Sequence, residues 1–265
     1  MAESKVKSTD STPSTERKFP TEIIDLPSGG KLYPDGHPCK SGKIEVKYMT
    51  AKEEDILTSQ NLIKKGLVID TLLSSLIATE GVNISDLFLG DKNAIMIAVR
   101  ILAYGPEYAV SLTKPDTDER FEHTFDLSAI DYKTIPDDIK YTKNEFELVL
   151  PASKDTITFK ILNGNDEKEI DAELKSMQKI GVGTTREITT RLKHLITSVN
   201  GSADPQVIYN YVQNMLSRDS LALRQKSNDI TPDIDLRQEV DIEGEAVTVD
   251  IPMTADFFWP TSRAS

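Results

Sequence analysis

The sequence predicts an α+β protein made of two tandem related units, each with a short strand, helices and a terminal β-hairpin. Matched residues recur at an offset that drifts from about 113 to about 128 positions. Both units open with an alternating strand that runs into a helix cap, and both close with two alternating segments around a polar turn. The expected divisions are a disordered tail and extended N-terminal arm in 1–41, a first unit in 42–134, a linker in 135–144, a second unit in 145–253 and an aromatic tail in 254–265.

The N-terminal arm is predicted to lack a core of its own. Residues 1–18 contain seven Ser or Thr and hardly any large apolar side chains, so burial cannot offset the entropy of ordering them. Residues 19–43 are rich in Pro and Gly, which favours extended backbone interrupted by turns. We expect this second part to lie as a strap on another surface.

Each unit then begins with a strand that ends at a helix cap. In the first unit, Thr50 is followed three residues later by Glu53, which is the spacing of a capping box. In the second unit, Asn163 and Asp166 repeat this spacing with weaker capping chemistry. A helix is therefore predicted to start at the same place in both units.

The helices that follow share an apolar stripe. Helices are predicted over 67–78, 94–104, 186–199 and 205–226. The segment 91–95 also corresponds to 219–223. Any two amphipathic helices can share such spacing, and this is the alternative to a true duplication. The matched apolar positions are Ile69, Leu73, Leu76 and Ile77 in the first unit and Ile188, Leu192, Leu195 and Ile196 in the second.

Each unit is predicted to close with a hairpin. The first joins 108–112 to 121–127, with Leu112 expected to pack on Phe125. The second joins 234–241 to 246–252. Between residues 229 and 250 there are eight acidic residues and one basic residue, so this second hairpin favours a basic partner.

Composition limits the class of protein. A chain of 265 residues with 38% hydrophobic residues can bury two modest cores. A net charge of −12 argues against binding nucleic acid, which requires clustered cations. Cys39 is the single cysteine, so an internal disulfide is excluded and a reducing compartment suits the chain. No apolar run is long enough to span a bilayer and no apolar signal core stands at the N-terminus, so we expect synthesis in the cytoplasm and no membrane partner.

No catalytic, metal or cofactor site is predicted. His37, His123 and His194 are far apart in the sequence, and no nucleophile is paired with a base. The glycines of 181–185 are not followed by the Lys of a phosphate-binding loop. Glu187 lies among the basic residues of 186–194 and the chain as a whole is acidic, which indicates a solvated helix face rather than a nucleic-acid surface.

Partner binding is the remaining function, and two segments are candidates. The first is the Pro- and Gly-rich centre of the arm, and the second is the run of three aromatic residues near the C-terminus. Those aromatic residues either fold back onto the second core or anchor a partner. The candidate partner-binding residues are Leu26, Pro27, Leu32, Tyr33, Pro34, Phe257, Phe258 and Trp259.

Four stretches, 26–34, 46–54, 219–224 and 257–260, together resemble the T-even-type phage baseplate protein family, which includes the hub protein of contractile tails and related tail assembly proteins. The resemblance covers most of the chain after Phe19. It implies a structural component of the tail baseplate, in the hub or next to the wedges, that acts in the virion by protein–protein binding. The implied partners are other tail proteins, such as tape-measure or hub proteins, with basic surfaces. The alternative is an assembly chaperone that is absent from the mature virion, and the third and least favoured class is an enzyme.

The resemblance also bears on the hairpins. Relatives of this kind carry Cys-x-x-Cys knuckles that look like zinc ribbons at their hairpin tips. The matching positions here are Lys114 and Thr117 in the first hairpin and Val240 and Glu243 in the second, and none of these is a zinc ligand of that type. The hairpins are therefore expected to be degenerate ribbons, and the protein is expected to fold without metal.

Overall fold

The computed structural model describes residues 20–113, 120–133, 136, 139, 141, 143–179, 186–242, 244–253 and 255–258. The fold is α+β, as predicted, with eight α-helices and only small antiparallel sheets in these ranges. The elements of the first half are β1 Thr21–Asp25, β2 Lys43–Lys47, α1 Ala51–Thr58, α2 Gln60–Lys65, α3 Val68–Leu76, α4 Leu89–Tyr104, β3 Glu107–Thr113 and β4 Arg120–Asp126. Those of the second half are β5 Phe146–Val149, β6 Thr156–Phe159, α5 Gly164–Lys179, α6 Glu187–Leu195, β7 Ile196–Val199, α7 Pro205–Gln213, α8 Ser217–Ile230, β8 Arg237–Ile242 and β9 Glu245–Asp250.

Both halves place a strand pair before their helices. β1 pairs antiparallel with β2, and β5 pairs antiparallel with β6. The chain returns to the second strand of each pair after the helices, through an isolated bridge between Val46 and Ile77 in the first half and through β7 in the second. The segment predicted to be an arm therefore contributes a strand to the first half.

The two predicted helix caps are present. Glu53 Oε2 accepts a hydrogen bond from the backbone N–H of Thr50 at 3.0 Å. Asp166 Oδ2 accepts from the backbone N–H of Asn163, and Asn163 Oδ1 accepts from that of Asp166, both at 3.1 Å. The reciprocal pair satisfies N–H groups that a helix start would otherwise leave without partners.

Two predicted helices are shorter than expected. The helix predicted over 186–199 ends at Leu195, because the β-branched segment from Ile196 to Val199 pairs with β6 instead. The helix predicted over 205–226 is divided at Asn214 into α7 and α8. Ile188, expected in the buried stripe, is 52% exposed.

Both hairpins are present, with one change of pairing. β3 pairs with β4, and β8 pairs with β9. Leu112 lies opposite Phe121 rather than Phe125, which lies opposite Tyr108. The predicted pair of Leu112 with Phe125 was wrong because the turn fixes the register of the whole hairpin. Once Tyr108 lies opposite Phe125, moving four residues along β3 moves four residues back along β4, to Phe121.

The buried apolar side chains form one continuous cluster that includes both halves, rather than two separate cores. Two glycines allow the backbones to approach closely. A Cβ on Gly90 would lie 2.1 Å from the carbonyl oxygen of Pro232, and one on Gly164 would lie 2.9 Å from that of Ser85. The halves therefore support each other's packing.

Polar contacts join the halves beside this core. Asp70 accepts a hydrogen bond from Lys92 Nζ at 2.6 Å and forms an ion pair with Lys168 of the second half at 3.1 Å. Burial of Asp70 opposes its ionisation, but the hydrogen bonds and charges of Lys92 and Lys168 outweigh burial and hold the pKa of Asp70 below its usual value.

The lowered pKa of Asp70 predicts a pH-dependent contribution to stability. Because the folded-state pKa lies below the unfolded value, the contribution is present above the unfolded pKa and is lost as the pH falls through the folded pKa. We expect Asp70→Asn to lower the free energy of unfolding by about 1–2 kcal/mol at pH 7. Urea denaturation of both proteins at a series of pH values measures this. A difference that stays constant into acid would contradict the linkage.

Candidate partner-binding site

Residues 26–34 form a loop between β1 and β2, and one buried carboxylate on α4 anchors it. Asp91 Oδ1 accepts a hydrogen bond from the backbone N–H of Ser28 at 2.9 Å. Asp91 Oδ2 accepts from Ser28 Oγ and from the hydroxyl of Tyr33, both at 2.7 Å. The Tyr33 hydroxyl in turn accepts from the backbone N–H of Phe88 at 3.3 Å. Asp91 therefore fixes both ends of the loop from the first turn of a helix.

Burial shapes the titration of this cluster. It raises the pKa of Asp91 although Ser28 and Tyr33 donate to its carboxylate, and the charge of Asp233 raises it further. Burial and the neighbouring Asp91 also raise the pKa of the Tyr33 hydroxyl. Burial raises the pKa of Cys39 to about 12, so its fully buried thiol stays protonated at neutral pH. The Tyr33 hydroxyl and the Cys39 thiol are therefore not activated as nucleophiles.

The tight return of the loop requires glycine. Gly30 has φ +74°, and a Cβ there would lie 2.3 Å from the carbonyl oxygen of Lys40 and 2.5 Å from the nitrogen of Gly42. These neighbours are backbone atoms, which cannot turn aside as a side chain can. Close backbone approach thus explains Gly30, whereas Gly29 is explained by its positive φ of +55°.

The structure places most of the loop's predicted partner-binding residues inside the chain itself. Leu26, Leu32 and Tyr33 are each 3% exposed. Pro27 is half-buried and Pro34 is exposed. In the loop, Pro34 is therefore the predicted residue that is most available to a partner, and partner binding by the loop stays a prediction.

Pro34 is one of the residues that line a pocket of about 550 Å³ between the halves. His37 lines the pocket and stacks on Tyr33 with ring centroids 4.5 Å apart, while its Nδ1 accepts from the backbone N–H of Cys39. The charged residues of the wall are engaged, since Lys40 pairs with Asp35, Lys143 pairs with Glu145, and Asp86 accepts a hydrogen bond from Asn165 at 2.6 Å. The wall therefore offers no concentrated charge of one sign for a small ligand. The other lining residues are Leu32, Asp86, Phe88, Asn144 and Asn163.

The predicted C-terminal residues Phe257 and Phe258 are each 1% exposed. The ring of Phe257 meets Tyr108 edge to face at 5.0 Å, and its carbonyl oxygen accepts a hydrogen bond from Arg100 Nε at 3.0 Å. Tyr108 and Arg100 belong to the first half, so the chain folds back across the molecule rather than onto the second core alone. Trp259 lies outside the described residues.

The basic residues of α6 are paired with acidic residues. Arg191 donates to both carboxylate oxygens of Glu167 at 2.7 Å, and Lys193 donates to Glu173. Paired charges of this kind do not provide the free cations that displace counterions from phosphates. The expectation of a solvated helix face agrees with the exposure of Arg186, Glu187 and Arg191.

One group of possible metal ligands was missed by sequence reasoning. Within the described residues, Asp166, Glu169 and His194 have ligand atoms within 4.8 Å of one another. However, Asp166 already accepts from Lys160 Nζ at 2.6 Å, and His194 lies 3.3 Å from Glu173. The three-residue spacing of Asp166 and Glu169 on α5 was the visible signal, but the position of His194 on α6 depends on helix packing. Ion pairing accounts for the group without a cation.

We expect the protein to fold without metal, because none of the four hairpin positions offers a zinc ligand of the ribbon type. Lys114, Thr117 and Glu243 lie outside the described residues, and Val240 lies in β8 opposite Val247. Thermal melts with and without a strong chelator should coincide. A loss of several degrees on chelation would point to Asp166, Glu169 and His194, and His194→Ala would then test that group.

No helix in the described ranges is long and apolar enough to cross a membrane. Comparison with curated proteins and with solved structures gives no match. A family model described as T4 bacteriophage base plate protein matches residues 19–216, which is more than half of the chain and includes the anchored loop, α4 and the first strands of both halves. The chain therefore belongs to the T4 bacteriophage base plate protein family.

Proposed function

We propose that this protein is a structural subunit of the tail base plate, in the hub or next to the wedges, and that it acts by binding neighbouring tail proteins. Membership of the base plate family carries this proposal. The chemistry of the described residues agrees with it, because the buried Asp91, Tyr33 and Cys39 are held by structural contacts or kept protonated. The site of action would be the virion tail, after synthesis in the host cytoplasm.

The second hairpin supports a partner with a basic surface. One face of the β8–β9 ribbon, including Val240 and Val249, is buried. The other face exposes Glu239, Asp241 and Asp250, and among the described residues only Asp250 is balanced, by Arg237 at 3.5 Å. Such a face would steer association with a positively charged neighbour.

Quantitative mass spectrometry of purified particles and of infected lysate tests the proposal. A structural subunit should be present in particles at a fixed ratio to known tail proteins. Abundance in the lysate together with absence from particles would support the alternative, a chaperone that leaves before the tail is complete.

We further propose that the two halves are tandem related units, with hairpins that are degenerate zinc ribbons. A buried aspartate in the first turn of the last helix of each half supports the duplication. Asp219 accepts from the backbone N–H groups of Ala152 and Ser153 at 2.7 and 3.0 Å, just after β5, as Asp91 accepts from Ser28 just after β1. Superposition of the halves in an experimental structure tests this, and it fails if these aspartates do not coincide.

Trp259 is predicted to contribute to partner binding rather than to the core. We expect Trp259→Ala to leave the isolated protein folded while reducing its incorporation into tails, because aromatic residues often anchor partners. Phe257→Ala is the matched control, since the buried Phe257 ring should be needed for stability. Circular dichroism melts and complementation of tail assembly measure the two effects. A large fall in melting temperature for Trp259→Ala would make Trp259 a core residue.

A further inference from the structure

Strand β1 lies at an open edge of its sheet. The backbone N–H of Leu26 donates to Gly42 at 2.8 Å, and that of Tyr48 donates to Pro20 at 3.2 Å. These two bonds set the alternation along the antiparallel pair, so the N–H and C=O groups of Glu22 and Ile24 face β2. Those of Thr21, Ile23 and Asp25 must point away from the sheet.

Among the described residues, only one of these outward residues has a hydrogen-bond partner for its backbone. The carbonyl oxygen of Asp25 accepts a hydrogen bond from the hydroxyl of Tyr132 at 2.6 Å, which also confirms the outward direction. In the described part of the chain, nothing donates to or accepts from the backbone of Thr21 or Ile23. Two adjacent outward positions are therefore ready to pair with another strand.

The side chains of β1 leave this edge accessible. Ile23 is 63% exposed, more than any other large apolar side chain in the described ranges. Thr21, Glu22 and Asp25 are exposed as well. The strand contains no Lys, Pro or bulge, which are three of the devices that prevent strand pairing at an edge, and its two charged residues, Glu22 and Asp25, are acidic.

We propose that the free edge of β1 accepts an extended, basic segment of a neighbouring tail protein, which adds a third strand beside Thr21 and Ile23. This inference rests on the proposed function and specifies one of its binding surfaces. Backbone hydrogen bonds would hold the added strand, and its apolar residues would cover Ile23. A Lys or Arg of the partner would balance Glu22, which has no ion pair among the described residues, whereas Asp25 is paired with Lys43 at 2.9 Å.

Charge argues against a second copy of this chain as the occupant. Pairing of β1 with β1 of another copy would place Glu22 of both chains on one narrow ribbon, in addition to the two Asp25 carboxylates that Lys43 already balances. β1 itself provides no basic residue to balance them. Like charges on adjacent strands are destabilising, so a basic partner fits the edge better.

Proline substitution can block the edge without breaking the sheet. Ile23→Pro removes only an N–H that points away from β2, and the φ of proline suits the edge of a strand. Ile23→Thr is the matched control, because it keeps the N–H and the branched β-carbon. Thr21→Pro, at the first residue of the strand, serves as a second variant if Ile23→Pro fails to fold.

Each variant should be expressed in cells infected with phage that lack the gene, and its amount in purified particles measured by mass spectrometry. We expect Ile23→Pro to be at least tenfold depleted in particles, with an unchanged melting temperature, and Ile23→Thr to be incorporated far better. Equal incorporation of Ile23→Pro and the unchanged protein would overturn strand addition while leaving the base plate role intact. Absence of the unchanged protein from particles would instead overturn the proposed function. A self-associated dimer that Ile23→Pro dissociates would make the occupant a second copy and would also overturn the proposal.

Discussion

Asp91→Ala should lower the free energy of unfolding by about 3–5 kcal/mol, because it removes the buried acceptor of three hydrogen bonds. The backbone N–H of Ser28 would lose its acceptor, and the hydroxyls of Ser28 and Tyr33 would lose theirs. The loop that these bonds hold packs Leu26, Leu32 and Tyr33 into the core. We therefore expect Asp91→Ala to loosen the packing of the whole 26–34 loop as well as removing the contacts of one side chain.

Asp91→Asn is the control, because it keeps the shape of the side chain and removes its charge. The pH dependence of stability then separates the effect of the charge from the effect of packing. Since the pKa of Asp91 is raised in the folded protein, its titration adds stability below the unfolded pKa that is lost as the pH rises through the folded pKa. The difference between the unchanged protein and Asp91→Asn should therefore be greatest in acid. Chemical denaturation across the pH range measures this, and Asp70→Asn should show the opposite trend. A loss below 1 kcal/mol for Asp91→Ala would mean that the anchor is not needed, by the magnitudes of buried hydrogen bonds.

Local chemistry explains which elements could be predicted. The capping pairs Thr50 with Glu53 and Asn163 with Asp166 are within three residues of each other, and both are present. Gly105, with φ +86°, ends α4 as its position before a proline indicates. Such signals act over one helical turn, so a single sequence is enough to detect them.

The features that were missed depend on contacts between distant residues. β7 continues the apolar pattern of α6, and only its pairing with β6 makes it a strand. Ser28 and Asp91 are separated by 63 positions, so the sequence could not show that the loop motif is anchored in the protein's own core. Partner binding by Tyr33 therefore stays a prediction from the motif alone, and the structure shows its side chain buried. The match between 91–95 and 219–223 places Asp91 and Asp219 at corresponding positions. It does not show that both aspartates are buried or that both accept hydrogen bonds from backbone N–H groups.

The sequence also did not predict the close approach of the two halves, which Gly90 permits at one point. Gly90 is the second residue of α4, and its backbone is not in the left-handed region, so conformational freedom does not explain it. The explanation is space. A Cβ would lie 2.1 Å from the carbonyl oxygen of Pro232 and 2.6 Å from the Cα of Asp233.

Gly90→Ala should therefore destabilise the protein by about 3 kcal/mol or more, although alanine is the better helix former by about 1 kcal/mol. The added methyl group must displace the segment that contains Pro232 and Asp233, and with it the hydrogen bonds of Asp233 to Asn93 and Lys133. Chemical denaturation measures the loss. The control is Ser74→Ala, a small substitution on the exposed face of α3, which should leave the stability nearly unchanged. Lys92→Ala, although closer to Gly90, is not suitable because Lys92 donates a hydrogen bond to Asp70. If Gly90→Ala proves as stable as the unchanged protein, the segment at Pro232 and Asp233 can move away from α4 without cost, and the close packing at Gly90 would not contribute to the contact between the halves.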